Sequence, residues 1–86
     1  MTQLKVATNS VPSKVAGAIA NIIRNEGKVC VSCIGPSAVN QGVKAIAIAS
    51  GFVAPIGIEM VCKPSFGEVE VEGDKRTCIN LICSSI

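Results

Sequence analysis

The sequence predicts an α/β protein, more closely an α+β two-layer sandwich in the order β-α-β-α-β-β, with a four-stranded mixed sheet and two helices on one face. Three stretches carry that prediction. Residues 4–34 read as strand, helix and strand; residues 35–55 read as one helix between a start and a stop signal; and residues 56–83 read as strands around a glycine turn. The whole chain of 86 residues forms a single domain, large enough to hold one core with little to spare.

Leu4 to Thr8 alternate as L-K-V-A-T, with Leu4 and Val6 on one face, which suits a strand. Asn9 and Ser10 then offer N-cap oxygens and Pro12 fits a first helical turn, so a helix is expected from near Val11 to Glu26. Its apolar stripe is Val15, Ala18, Ile19, Ile22 and Ile23, and Gly27 ends it in the left-handed conformation. Lys28 to Ile34 is a β-branched run and gives the second strand, parallel to the first through a right-handed crossover.

The second helix, GPSAVNQGVKAIAIASGFVAP, organises the rest, and its end is expected near Gly51, before Pro55. Ala38, Val39, Gly42, Val43, Ala45, Ile46, Ala47 and Ala49 sweep an apolar arc of roughly 200°, wider than an ordinary surface helix needs. Ser37, Asn40, Gln41 and Lys44 make the narrow polar strip, with Ile48 the apolar intruder along it. One sheet does not bury such an arc. One flank is therefore expected on the sheet and the other, through Val39, Val43, Ile46 and Ala47, on a second copy in a homodimer; close packing of small residues inside a monomer is the alternative.

Ile56 to Lys63 is expected as the third strand, interrupted at Pro64 and resumed over Ser65 to Glu72. Gly73-Asp74 reads as a two-residue turn with glycine first, and Arg76 to Cys83 as the last strand. Ile79 and Leu81 share one face of it, and Val69 and Val71 share one face of the preceding strand. Glu68, Glu70, Glu72 and Asp74 concentrate four of the six acids on this hairpin, a face that repels phosphate and guards an exposed edge.

The core must be aliphatic, because Phe52 and Phe66 are the only aromatics, and base-stacking platforms are nearly absent. A net charge of +2 neither argues for nucleic acid nor forbids it. The uncharged run Ala45 to Ile58 is broken by Gly51, Pro55 and Gly57, so no membrane span is expected, and with no export signal the chain reads as cytoplasmic. Its five cysteines are then reduced. Cys30 and Cys33 form a C-x-x-C, but on a strand they face opposite sides of the sheet, which suits buried small side chains better than a zinc or redox centre. The chain has no histidine, no P-loop and no nucleophile elbow, so neither catalysis nor a cofactor or metal is expected.

In a βαβ arrangement both helices begin at the carboxyl edge of the sheet, where free N–H groups and dipoles favour anions. Ser10, Ser13 and Lys14 join Ser37, Asn40, Gln41 and Lys44 there, a plausible phosphate-contacting strip, although capping alone also explains the serines.

The strings LKVATNSVPSKVAGAIANIIR, CIGPSAVNQGVKAIAIASGFVAP and DKRT closely resemble the bacterial stage V sporulation protein S family over about residues 3 to 83. The resemblance implies a small cytosolic regulator connected with sporulation and cell division, and kinship with the dimeric nucleic-acid-binding Alba superfamily. Archaeal Alba proteins carry a Lys-Lys pair before the proline that opens their first helix; Ser10 and Val11 hold those places here, with Lys14 and Lys44 the nearest basic substitutes. The comparable start of the second helix, Gly35 to Gln41, has no charge, and the arm is acidic. The expected function is modest DNA or RNA binding through the helix edge. A protein-interaction adaptor on the same scaffold, or a small-anion sensor, are the alternatives.

Overall fold

A computed structural model describes residues 1–86. The elements follow the expected order: β1 (Gln3–Val6), α1 (Pro12–Glu26), β2 (Lys28–Cys33), α2 (Pro36–Val53), a 3₁₀ turn (Ala54–Ile56), β3 (Met60–Val71) and β4 (Asp74–Ser85). The sheet runs β1-β2-β4-β3, with β1 parallel to β2 and the other neighbours antiparallel, so β1 and β3 are its edges.

Facing residues across the ladders define two faces. Leu4, Val6, Val29, Val31, Cys33, Ile79, Leu81 and Cys83 share the face that the helices cover, and Val29, Val31, Cys33 and Cys83 are fully buried. Helix α1 supplies Ala16, Ile19, Ala20 and Ile23 to this core, and α2 supplies Ala38, Ala45, Ala49 and Val53. The spacing of the α2 set keeps one row on the sheet. Gly42 lies in that row, where an added Cβ would sit 2.8 Å from Cys33 Sγ, so glycine lets the helix settle directly on β2.

Several boundaries differ from the sequence reading. Strand β1 ends at Val6, because Ser10 N–H bonds back to Ala7 O at 3.1 Å and the Ala7 N–H donates to Ser10 Oγ at 2.9 Å, closing a turn over Thr8 and Asn9. Helix α1 therefore starts at Pro12 after Val11, with no side-chain cap. Gly27 terminates it with φ 79°, as expected. Helix α2 runs past Gly51 to Val53, and Pro55 sits inside the following 3₁₀ turn rather than beyond a helix end.

The largest difference is in the hairpin, where β3 starts at Met60 and passes Pro64 without a break. The turn is Glu72-Gly73 rather than Gly73-Asp74, and both residues have positive φ, 51° and 83°, the signature of a type I′ turn. Pro64 accounts for that choice. The Ile86 N–H donates to Glu59 O at 2.9 Å, so this pair is hydrogen-bonded, and alternation along the ladder leaves Pro64 and Leu81 at a non-hydrogen-bonded position. The proline nitrogen then points to the free edge of the sheet and no bond is lost. A turn one residue later would demand a donor from Pro64.

Strand β3 lies beyond the helices. Cys62, Pro64, Phe66, Glu68 and Glu70 are on its helix-side face yet are exposed, and Phe66 is 81% exposed. Val69 and Val71 share the opposite face, so they do not lie on the face of Ile79 and Leu81.

Candidate functional site

Helices α1 and α2 both start at the carboxyl ends of β1 and β2, and the first residue of each is a proline, which has no N–H to leave unsatisfied. Their N-caps, Val11 and Gly35, offer no side-chain oxygen. Lys14 and Val15 N–H both bond to Val11 O, and Val39 N–H bonds to Gly35 O. The earlier N–H groups of Ser13, Ser37 and Ala38 find no partner among the bonds outside the helices, and neither first turn holds an acid to compensate the dipole.

The seven residues of the strip divide into two groups. Ser10 and Gln41 are used internally: Ser10 Oγ accepts from Ala7 N–H, while Gln41 Nε2 donates to Ser10 O at 3.0 Å and to Thr8 O at 3.4 Å. They brace the turn before α1 against the first turns of α2. Ser13, Lys14, Ser37, Asn40 and Lys44 are all exposed, and none takes part in a side-chain hydrogen bond. The Gln41 bridge ties the turn before α1 to α2, so Ser13 and Lys14 near the start of α1 and Ser37 and Asn40 near the start of α2 belong to one end of the helix layer, with Lys44 further along α2. Uncompensated helix N-termini and ammonium groups are chemistry that suits an anion. The two concavities of the protein lie instead along the hairpin, lined by Phe66, Gly67, Glu68 and Thr77 and by Pro64, Ser65, Phe66 and Ile79.

Of the residues assigned to a second copy, Val43 and Ala47 are exposed, Val43 by 52%. Val39 and Ile46 are half-buried against the core of their own chain, and Ile48, on the other flank, packs there too. Phe52 and Ile56 extend the exposed apolar surface toward the end of α2. By length and composition Pro36–Ile56 could cross a membrane; in this fold Ala38, Gly42, Ala45, Ala49 and Val53 of that segment pack onto the sheet.

The cysteines are free. Burial pushes the Cys30 and Cys33 thiols up, helped by neighbouring thiols, and burial together with the adjacent Cys62 thiol pushes Cys83 up to about 12. The buried hydroxyl of Ser32, on the face away from the helices, donates to Cys78 Sγ at 3.7 Å.

Fold and edge together define a small two-layer α/β protein whose candidate site is a surface at two helix starts rather than a cleft. The family model described as stage V sporulation protein S (SpoVS) matches residues 2–85. The chain belongs to that family, and is a sporulation-related protein.

Proposed function

We propose that this chain is a non-enzymatic, homodimeric regulator that binds DNA or RNA with modest affinity through the edge formed by the two helix starts. The observation that carries this reading is the pair Lys14 and Lys44, exposed and unbonded, together with first-turn N–H groups of both helices that no acid neutralises. The resemblance to the Alba superfamily supports it, as does the exposed row of Val43 and Ala47 for the second copy. The acidic arm turns binding away from the hairpin.

Titration of duplex DNA, single-stranded DNA and RNA at several salt concentrations tests it. A log-log slope of about −2 to −4, lost on replacing Lys14 and Lys44 by glutamate, is expected. Unchanged affinity in that variant removes the site assignment. Exposed Phe52, Ile56 and Phe66 favour a second reading, an adaptor for a protein partner on the same scaffold. Absence of nucleic-acid binding at low salt, with one saturable protein partner, selects it.

A further inference from the structure

Strand register decides which of the free thiols can meet. Cys30 and Cys33 are three residues apart on β2 and face opposite sides. Cys33 is level with Ile79 while Cys83 is level with Val29, an offset of about 13 Å along the strands. Cys30 is level with Ile82, equally far from Cys78. Only Cys62 and Cys83 stand directly opposite each other.

Their position in the ladder matters as much as their register. The bond from Ile86 N–H to Glu59 O fixes the alternation, and Cys62 and Cys83 fall, like Pro64 and Leu81, at a non-hydrogen-bonded pair. Cα atoms of such pairs are about 4.5 Å apart with both side chains on one face. That spacing lies inside the range of about 4.4–6.8 Å that disulfides bridge. The two thiols also differ in access: Cys62 is exposed on an edge strand that the helices leave uncovered, and Cys83 is fully buried beneath them.

We propose that Cys62 and Cys83 form a dithiol modification site, at which low-molecular-weight disulfides convert the pair to a cross-strand disulfide at the base of the hairpin. The exposed Cys62 thiolate attacks one sulfur of the reagent R–S–S–R. A Cys62–SR bond forms, the S–S bond of the reagent breaks, its other half leaves as the thiolate RS⁻, and that thiolate takes up the proton Cys62 released. Cys83 sulfur then attacks Cys62 sulfur, the Cys62–SR bond breaks, and the second leaving thiolate takes the Cys83 proton. The protein pair loses two electrons and two protons, and the reagent gains both as two RSH. Burial of Cys83 makes the second step the slow one at neutral pH, and its rate rises about tenfold per pH unit, following the thiolate fraction. The product pins edge strand β3 to β4 within the body of the sheet, where Cys83 is also level with Val29 of β2.

The test is native, fully reduced protein treated with glutathione disulfide, followed by thiol counting and peptide mapping without reductant. Expected is a transient adduct on Cys62 that resolves into a link between Cys62 and Cys83 within one chain. In Cys83→Ser the adduct on Cys62 persists, and in Cys62→Ser neither adduct nor link forms; circular dichroism establishes that both variants are folded. A link between any other pair, a Cys62–Cys62 link between chains, a stable adduct on wild-type Cys62, or no reaction of the native protein each overturns the proposal.

Discussion

The side-chain amide of Gln41, on α2, donates to the main-chain carbonyl of Ser10, in the turn before α1, at 3.0 Å. This bond, between residues 31 apart in sequence, fixes how the two helix starts sit beside each other. A glutamine that the sequence offers as a ligand contact is thereby committed to the protein itself.

Replacing Gln41 with alanine is expected to lower stability by about 1 kcal/mol, the net value of one such hydrogen bond with some cost for the carbonyl left behind. Nucleic-acid affinity should fall with it, because the edge loses its fixed geometry. Urea unfolding beside a binding titration separates the effects. Unchanged stability would show that the bond contributes nothing.

Gly42→Ala sets helix propensity against packing. Alanine is favoured inside a helix by about 1 kcal/mol. Its methyl group, however, would lie 2.8 Å from Cys33 Sγ and 3.3 Å from Leu81 Cδ1, both in the core. Overpacking of this kind costs about 1–3 kcal/mol, so the variant is expected to melt lower. Cys33→Ala removes the nearest clash, and in a double-mutant cycle it should recover part of the loss. A rise in melting temperature for Gly42→Ala alone would show that α2 does not approach the sheet so closely.

The order of elements was legible in the sequence because periodicity and punctuation report local structure: Gly27 ends α1 as expected, and Ile19 and Ile23 of the expected stripe are buried, although Ala18 is exposed and Ala16 and Ala20 take its place in the core. The hairpin register was not legible from its turn residues alone. Gly73 serves either as the first residue of a turn with Asp74 or as the second with Glu72, and both choices keep every side chain on the same face. They differ by two residues in pairing: with Gly73-Asp74, Cys62 would face Ser85, whereas with Glu72-Gly73 it faces Cys83. Pro64 held the missing information. Treated as a break in the strand it says nothing of register, but as a residue without a donor it excludes one of the two ladders. The helix strip shows the same limit, since spacing put Gln41 beside Asn40 and Lys44 but could not reveal the Ser10 carbonyl within its reach.

The Cys83 thiol gives a pH dependence with a defined sign. Burial and the neighbouring Cys62 thiol raise it from an ordinary 9.0 to about 12, so the folded state holds the proton more tightly than the unfolded chain. Its contribution to stability is fully present below pH 9.0 and is lost as the pH rises toward about 12, because the unfolded thiol ionises first. Melting temperature under reducing conditions is expected to fall more steeply above about pH 9 in the wild type than in Cys83→Ala. Equal slopes would remove Cys83 as the cause, leaving Cys30 and Cys33, whose thiols are displaced in the same direction.

Glu72 joins the backbone of the arm to its charge. It is the only non-glycine residue with positive φ, at 51°, and a side chain with Cβ holds that conformation at a cost of about 1 kcal/mol. Asparagine tolerates the left-handed region better and, followed by Gly73, makes the dipeptide that type I′ turns favour. Glu72→Asn is therefore expected to stabilise the hairpin by about 0.5–1 kcal/mol, visible as slower amide exchange along β3 and β4. The same substitution removes one of the acids that repel phosphate. Combined with Glu68→Gln and Glu70→Gln, which clear the helix-side face of the arm, it should raise nucleic-acid affinity at low salt and steepen the salt dependence as the arm begins to contribute. If affinity stays constant while exchange slows, the arm takes no part in binding and its acids serve only to guard the β3 edge.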